Sequence, residues 1–271
     1  MPADTATNSQ PAASNRRYMT FFIKTICSLL VISFIITPCK CQVNVYDGFD
    51  TSELNKIWAT DRMVMGALEI QSQIVRNGHS AAKITLKSGD VFEAGIGKSK
   101  DSERDELREA DNLVSLEGKL YEYQFSLFLP DSFPIVPVRL VIAQWKQNCG
   151  SNSLCSDDSP VLAIRYVNGK LYITVQTDSG QMTVYKTTNE IRNKWLDFKC
   201  KVRFSRLENG QVNVWLNGEQ IINFKGITCY SSKKGYADRS YFYFKTGLYR
   251  DRMPQPMTIY IDEYRKKELK E

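Results

Sequence analysis

The stretch 243–249 combines groups that can transfer a proton with groups that can hold an anion. Read as a β-strand, it turns alternate side chains to opposite faces. Tyr243, Lys245 and Tyr249 then share one face, and Gly247 leaves a gap between the last two. A face of phenol and ammonium groups, backed by an apolar face, suggests the floor of a polar groove.

Two earlier stretches follow the same alternation. Gln144 and Lys146 share a face in one of them, and Arg104, Glu106 and Arg108 share a face in the other. A single antiparallel sheet could collect the polar side chains of all three stretches on one concave side.

The composition predicts one folded, β-rich domain. The chain has 271 residues, of which 42% are apolar and 11% aromatic, so it can bury a full core and is unlike a disordered chain. Its net charge is +6, and half of that lies within residues 1–41. The remaining charge is mild and does not favour nucleic acid, which needs a dense basic patch. It is compatible with a polyanionic substrate bound at one place.

Residues 1–41 have the pattern of an export signal. Arg16 and Arg17 precede an apolar stretch whose uncharged part, 25–38, is short for a membrane span of about 20 residues. A basic region, a short apolar region and a break predict a secretory signal peptide. The alternative is an uncleaved N-terminal membrane anchor. Either one predicts a secreted, periplasmic or cell-surface protein.

Export also allows disulfide bonds among the four cysteines outside that segment. Cys149 and Cys155 bracket a polar loop and could close it, and Cys200 and Cys229 would then pair across strands. Four thiols allow three connectivities, of which this is the preferred one. The spacing does not fit a zinc site.

From residue 42 onwards, short strand candidates alternate with turns. Asn-Gly pairs predict two-residue hairpin turns, because both central residues of a type I′ turn need positive φ. The three pairs are Asn168-Gly169, Asn209-Gly210 and Asn217-Gly218. Many short antiparallel strands without alternating helices predict an all-β sandwich of two antiparallel sheets. We predict one domain over 42–264 and a charged C-terminal tail over 265–271.

The three polar stretches resemble the strand motifs of the jelly-roll polysaccharide lyases, which include alginate lyases. The motifs read Arg104-x-Glu106-Leu107-Arg108, Gln144-x-Lys146 and Tyr243-Phe244-Lys245-x-Gly247-x-Tyr249. The sequence at 128–134 looks closer to the related glucuronan-lyase and heparin-lyase I-like group. The resemblance covers roughly residues 45–264 and implies a concanavalin A-like β-jelly roll that acts on an acidic polysaccharide.

Lyases of this kind cleave a uronate polymer by β-elimination. The carboxylate beside C5 must be neutralised before the C5 proton can be removed, and Arg104 and Gln144 are suitable donors to it. A base takes that proton, and an acid protonates the leaving O4. The resemblance implies that Tyr249 is the acid, and in a syn elimination it could do both jobs. The expected substrate-binding residues are Arg108, Lys245, Tyr243, Arg250 and Glu106, with Glu106 orienting Arg104 or Arg108.

At the position of the expected base, the sequence departs from the family pattern. Lys146 stands where many relatives have a histidine. It could hold the carboxylate or, if desolvated, act as the base, and it could equally mean that the usual base is missing. The only histidine, His79, is a further candidate base, with an ordinary turn histidine as the alternative.

No cofactor is required for such an elimination. Relatives with this sandwich often carry a structural Ca²⁺, for which Asp47, Asp50 and Asp262 could supply oxygen ligands. The expected partner is an acidic polysaccharide such as glucuronan, alginate or a glycosaminoglycan, bound by a monomer that binds no nucleic acid.

Two other functions compete with the lyase. The first is a non-catalytic carbohydrate-binding jelly roll, which Lys146 in place of histidine favours and the presence of Tyr249 and Arg104 disfavours. The second is a glycoside hydrolase, which needs two carboxylates flanking the bond. No strand candidate carries such a pair on one face.

Overall fold

The structure, a computed structural model, describes residues 42–61, 63–91, 102–149, 154–155 and 159–270. They belong to one compact unit, Cys41–Glu271. The predicted signal or anchor, 1–41, lies outside the described residues. Within the described ranges, no helix is long and apolar enough to cross a membrane.

The described part of the chain forms two antiparallel sheets, as the turn-rich sequence predicts. We call them the front sheet and the back sheet. The front sheet runs in the order β11 (Gly180–Lys186), β10 (Lys170–Thr177), β9 (Leu162–Val167), β8 (Leu140–Gln147), β15 (Tyr241–Asp251), β5 (Ser102–Glu109) and β2 (Trp58–Ala59), and β6 (Ser115–Leu116) also pairs with β15.

The back sheet has the same number of strands and carries both ends of the described chain. Its order is β14 (Glu219–Lys225), β13 (Gln211–Leu216), β12 (Trp195–Arg203), β7 (Leu120–Phe128), β16 (Met257–Glu268), β4 (Ala81–Leu86) and β3 (Leu68–Gln71), and β1 (Asn44–Asp47) also pairs with β16. Two short 3₁₀ helices, Asp111–Leu113 and Ser232–Lys234, lie in connecting loops.

Aromatic side chains fill the space between the sheets. Tyr123 of the back sheet meets Trp145 of the front sheet with ring centroids 5.3 Å apart, and Trp145 lies 4.8 Å from Phe244. Such ring pairs contribute about 0.5–1.5 kcal/mol each beyond the area they bury. Because Trp145 and Phe244 point inward, strand alternation turns Gln144, Lys146 and the residues beside Phe244 to the outer face of the front sheet.

Two of the three Asn-Gly pairs form the predicted turns. Both residues have positive φ at 168–169 (50° and 76°) and at 217–218 (51° and 86°). The third prediction is wrong, because β12 ends at Arg203 and a longer connection follows. Gly210 is required there for another reason: a Cβ on it would lie 2.2 Å from the carbonyl oxygen of Gly226.

The last strand is longer than the sequence predicts. β16 continues through Glu268, because β1 and β7 hydrogen-bond to it on its two sides. Most of the charged residues expected in a C-terminal tail are therefore part of the back sheet, and Lys266 is fully buried.

The cysteines follow only part of the preferred connectivity. Cys149 and Cys155 form a disulfide bond. Cys200 and Cys229 are free thiols, both buried in the core, so the prediction that they pair is wrong. Burial raises the pKa of both thiols, which keeps them protonated. An even cysteine count allowed the pairing but carried no information about the distance between the two residues.

Candidate active site

The register of the front sheet brings the three polar stretches together on its outer face. β15 lies between β5 and β8 and faces both through direct cross-strand pairs. These pairs are Tyr249 with Arg104, Lys245 with Arg108, Lys245 with Gln144, and Tyr243 with Lys146.

Gly247 shapes this part of β15. Its φ is +137°, and a Cβ on it would lie 2.4 Å from the backbone oxygen of Asp105 in β5. On the other side, the register with β8 shifts between Thr246 and Tyr249. Bulges of this kind re-aim the side chains that follow them, and here the following side chain on the outer face is that of Tyr249.

A cleft of about 360 Å³ lies over these strands. Its lining residues are Arg104, Arg139, Val141, Gln144, Lys146, Ser159, Pro160, Arg165, Gln181, Tyr243, Lys245 and Tyr249. Five of them are basic, and among the described residues that line the cleft none is acidic. A cleft with this charge concentrates anions, and its described lining offers no pair of carboxylates for glycoside hydrolysis.

Glu106 lies directly beneath the cleft and holds three of its donors. It is 1% exposed and accepts hydrogen bonds from Gln144 Nε2 and, at 3.0 Å, from Lys245 Nζ. Arg104 Nε lies 3.4 Å from the same carboxylate. Glu106 therefore occupies an orienting position, with Lys245 and Gln144 as partners in addition to Arg104.

These contacts set the charge of the pair. Burial alone would raise the pKa of Glu106, but Lys245, Arg104 and Gln144 lower it below its usual range. Burial lowers the pKa of Lys245 to about 8 against the opposing attraction of Glu106. Glu106 thus stays ionised at neutral pH, and its charge fixes the donors that face the cleft.

Tyr249 lies beside two guanidinium groups. The Cζ atoms of Arg104 and Arg139 are 4.1 Å and 4.6 Å from the centroid of its ring. Burial raises the pKa of Tyr249, but the charges of Arg139 and Arg104 and hydrogen bonds with Ser102 and Arg139 bring it below its ordinary value. A phenol tuned in this direction can exchange a proton closer to neutral pH.

Arg250 does not belong to the cleft, and its predicted role in substrate binding is wrong. Its side chain is fully buried on the opposite face of β15, where its Nε donates to Glu103 Oε2 at 2.9 Å. Strand alternation places neighbouring residues on opposite faces, and Glu103 makes the burial of this charge tolerable. Arg108 does lie on the outer face, but it pairs with Asp61 and Asp111 and does not line the cleft.

His79 is also wrongly predicted as a base. It lies in the connection between β3 and β4 of the back sheet, where its backbone N–H donates to Asp50. Tyr249 is on the front sheet, and His79 is not among the residues of the cleft. Lys146, the other candidate base, does line the cleft.

The residues predicted to bind Ca²⁺ do not fit such a site. Asp47 accepts hydrogen bonds from Phe49 N at 2.9 Å and Trp58 Nε1 at 2.8 Å. Asp262 accepts from three backbone N–H groups, those of Arg76, Asn77 and Glu263. In the described part of the chain, no three His, Cys, Asp or Glu side chains gather as metal ligands would. A Ca²⁺ elsewhere stays a prediction.

Two basic residues of the cleft, Arg139 and Arg165, are absent from the sequence-based prediction. Arg165 occupies an outward position of β9, next to β8, so the same period-two argument could have found it. Arg139 precedes β8 and is held by Asp251, to which its Nη2 lies at 2.6 Å. No local pattern relates two residues that far apart in the sequence.

Comparisons with known proteins agree with the fold. The model of a family described as polysaccharide lyase matches residues 46–265. No curated protein sequence matches the chain. The endo-β-1,4-glucuronan lyase from the fungus Trichoderma reesei has a similar structure, with a TM-score of 0.65 and 19% identity over 83% of this chain and 95% of that one.

Two alginate lyases are similar at lower scores. For the alginate lyase vAL-1 from Chlorella virus, the TM-score is 0.53, with 11% identity over 79% of this chain and 93% of that one. For the alginate lyase AlgAT5 of polysaccharide lyase family 7, it is 0.51, with 17% identity over 76% and 84%. At these identities the likeness shows a shared jelly-roll fold, which confirms the predicted architecture.

Proposed function

The chain belongs to the polysaccharide lyase family, and we propose that it cleaves a uronate-containing polysaccharide by β-elimination in the basic cleft of the front sheet. One observation carries this proposal. Tyr249 lies beside two guanidinium groups in a cleft whose described lining holds five basic side chains and no carboxylate.

The first step is neutralisation of the carboxylate beside C5. Arg104 and Gln144 donate to it, because both line the cleft and both are held from below by Glu106. Donors fixed before the substrate arrives stabilise the charge that develops on this carboxylate as the proton leaves. Lys146, at the same cleft, adds a further positive charge for the carboxylate.

Tyr249 then moves the protons. As a phenolate it takes the proton from C5, the electron pair left behind forms the C4=C5 double bond, and the bond from C4 to O4 breaks. Tyr249 returns the proton to O4 and becomes a phenolate again. One residue can do this when the C5 proton and O4 lie on the same face of the sugar ring, as they do in glucuronate and mannuronate.

Ultraviolet absorbance tests the proposal, because elimination leaves a double bond conjugated to the carboxylate and hydrolysis does not. The purified protein is mixed with glucuronan, alginate and glycosaminoglycans in turn. We expect absorbance to rise with at least one polymer and the rate to fall by about 10²–10⁴-fold in Tyr249→Phe. Binding without any rise in absorbance would instead support a carbohydrate-binding protein that lacks a base.

We also propose that the chain is exported. The pattern of residues 1–41 supports this, and so does the Cys149–Cys155 disulfide, since such bonds persist in oxidising compartments. Expression of the full chain in a secreting host, followed by mass spectrometry of the product, tests it. A shortened chain in the medium indicates a cleaved signal, an intact chain in the membrane fraction indicates an anchor, and an intact cytosolic chain contradicts export.

A further inference from the structure

Arg139 and Asp251 are joined twice at one end of the cleft. The backbone N–H of Asp251 donates to the carbonyl oxygen of Arg139 at 3.0 Å, one step beyond the β15–β8 pairing of Arg250 with Leu140. The side chains meet as well, with Arg139 Nε and Nη2 at 2.8 Å and 2.6 Å from Asp251 Oδ1. A guanidinium held along one edge by a carboxylate has little freedom to turn.

That guanidinium is fixed against Tyr249. Asp251 and Tyr249 are two residues apart on the same face of β15, so the carboxylate anchors Arg139 where it can contact the ring at 4.6 Å. An arginine keeps its charge at every pH that the protein experiences, so this contact is permanently cationic.

We propose that Arg139, held in place by Asp251, is the positioning residue that prepares the Tyr249 phenol to ionise in this cleft. This inference deepens the proposed lyase function and rests on it. It accounts for a site in which Lys146 replaces the expected histidine and His79 lies on the other sheet. Tyr249 needs no neighbouring base to accept its proton if a fixed cation already stabilises its phenolate.

Other charged side chains line the same cleft as Tyr249. They are Arg104 from β5, Lys146 from β8, Arg165 from β9 and Lys245 from β15. Arg104 and Lys245 share the carboxylate of Glu106, at 3.4 Å and 3.0 Å, which offsets part of their charge. The Arg139 and Asp251 side chains are 39% and 48% exposed, so water weakens their mutual attraction, while the guanidinium keeps its contact with the Tyr249 ring.

A spectroscopic titration tests the inference without any substrate. The ultraviolet absorbance of tyrosinate is followed against pH for the full chain and for Arg139→Gln and Asp251→Asn. Each titration is repeated with Tyr249→Phe added, so that the difference reports this one phenol. Arg265→Gln is the matched control, since Arg265 lies over the ring of Tyr46 at 5.0 Å on the back sheet.

We expect Arg139→Gln to move the midpoint of Tyr249 upward by about one pH unit and to lower kcat/KM at neutral pH about tenfold, because the phenolate is the active form. Asp251→Asn should produce a smaller shift in the same direction, and Arg265→Gln none. If Arg139→Gln does not fold, Asp251→Asn decides the question alone.

The outcomes separate this inference from the function on which it rests. An unchanged midpoint in Arg139→Gln and Asp251→Asn overturns the inference, even if the protein eliminates a polymer. A loss of kcat/KM with an unchanged midpoint also overturns it. A shifted midpoint supports the positioning role of Arg139, and if no polymer is then eliminated, it is the proposed lyase function that fails.

Discussion

The two faces of β5 each carry a buried carboxylate paired with a lysine. The outer pair orients side chains of the cleft, whereas the inner pair connects the two sheets. On the outer face, Glu106 holds Lys245 and Gln144, whose donors belong to the cleft. On the inner face, three residues along, Glu109 accepts a hydrogen bond at 3.0 Å from Lys266 of the back sheet. Glu106 and Glu109 are both almost fully buried.

Glu109 and Lys266, the inner pair, form their hydrogen bonds with other groups of the protein core. Glu109 also accepts from the hydroxyl of Tyr264 and from Phe244 N, and Lys266 also donates to the carbonyl oxygen of Leu113. These contacts join the two sheets and leave nothing for a ligand. Burial of an ion pair therefore says little about function by itself. What matters is whether the groups that the pair holds face a cavity.

Breaking the inner pair should have the largest effect on stability. We expect Lys266→Met to lower the free energy of unfolding by about 3–5 kcal/mol, because it leaves the Glu109 charge buried without its partner. Denaturant unfolding measures this, with Lys267→Met as the control, since Lys267 is the exposed neighbour on the same strand. Equal losses in both variants would mean that the ion pair is not the cause.

Replacing the outer carboxylate, that of Glu106, should lower the catalytic efficiency. Glu106→Gln removes the charge that orients Gln144, Lys245 and Arg104, and we expect kcat/KM to fall about 100-fold, or about 2.7 kcal/mol in transition-state stabilisation. The polymer identified by absorbance is the substrate for this measurement. Glu109→Gln, assayed on folded protein, should leave kcat/KM nearly unchanged, and a similar loss there would erase the distinction between the faces.

Gly247 allows the close approach of β15 and β5 on which both faces depend. Gly247→Ala should cost about 1–3 kcal/mol of stability, because it strains the backbone at φ +137° and meets the backbone of Asp105. Gly66→Ala is the matched control, since Gly66 also has positive φ (+80°) but open space around its Cβ position. Thermal unfolding should therefore separate the clash from the effect of φ.

The smallest expected effect, taken over one pH unit, is a pH dependence from the inner face. Burial raises the pKa of Asp105 to about 7, and nearby Asp90 adds to the shift. A carboxyl with a raised pKa contributes stability that is complete below its unfolded value, near 3.8, and is lost as pH rises through about 7.

Unfolding free energy should accordingly fall by about 1 kcal/mol over one pH unit near pH 6. Asp105→Asn should remove that slope, because an amide keeps the hydrogen bond that Asp105 accepts from Val64 N at 2.8 Å and does not ionise. The same slope in both proteins would assign the pH dependence to another group.

Much of the site followed from strand alternation. Period-two spacing within the stretches at 104–108, 144–146 and 243–249 placed their polar side chains on one face, and the register brought the three strands together. The same alternation places Arg250 on the inner face. An arginine is nevertheless expected to be exposed unless a partner for its buried charge is known. That partner, Glu103, is 147 residues away in the sequence.

The missed residue Arg139 and the other wrong predictions also result from contacts between residues that are distant in the sequence. Arg139 is fixed by Asp251, and the side chain of His79 could not be placed on either sheet without the strand order. The number of cysteines was even, as full pairing requires, but Cys200 and Cys229 are not bonded to each other in the fold. Local spacing decides which face a residue occupies, whereas long-range pairing decides what it meets there.

The pairing of β1 with β16 has a further consequence. Glu268 N donates to the carbonyl oxygen of Val43 at 2.8 Å, so the two ends of the domain lie side by side. A linker of a few residues could join them, and the chain could be opened instead at the tight 168–169 turn. In such a circular permutant, the strand neighbours that assemble Arg104, Gln144 and Tyr249 would be unchanged, although the chain would visit them in a different order.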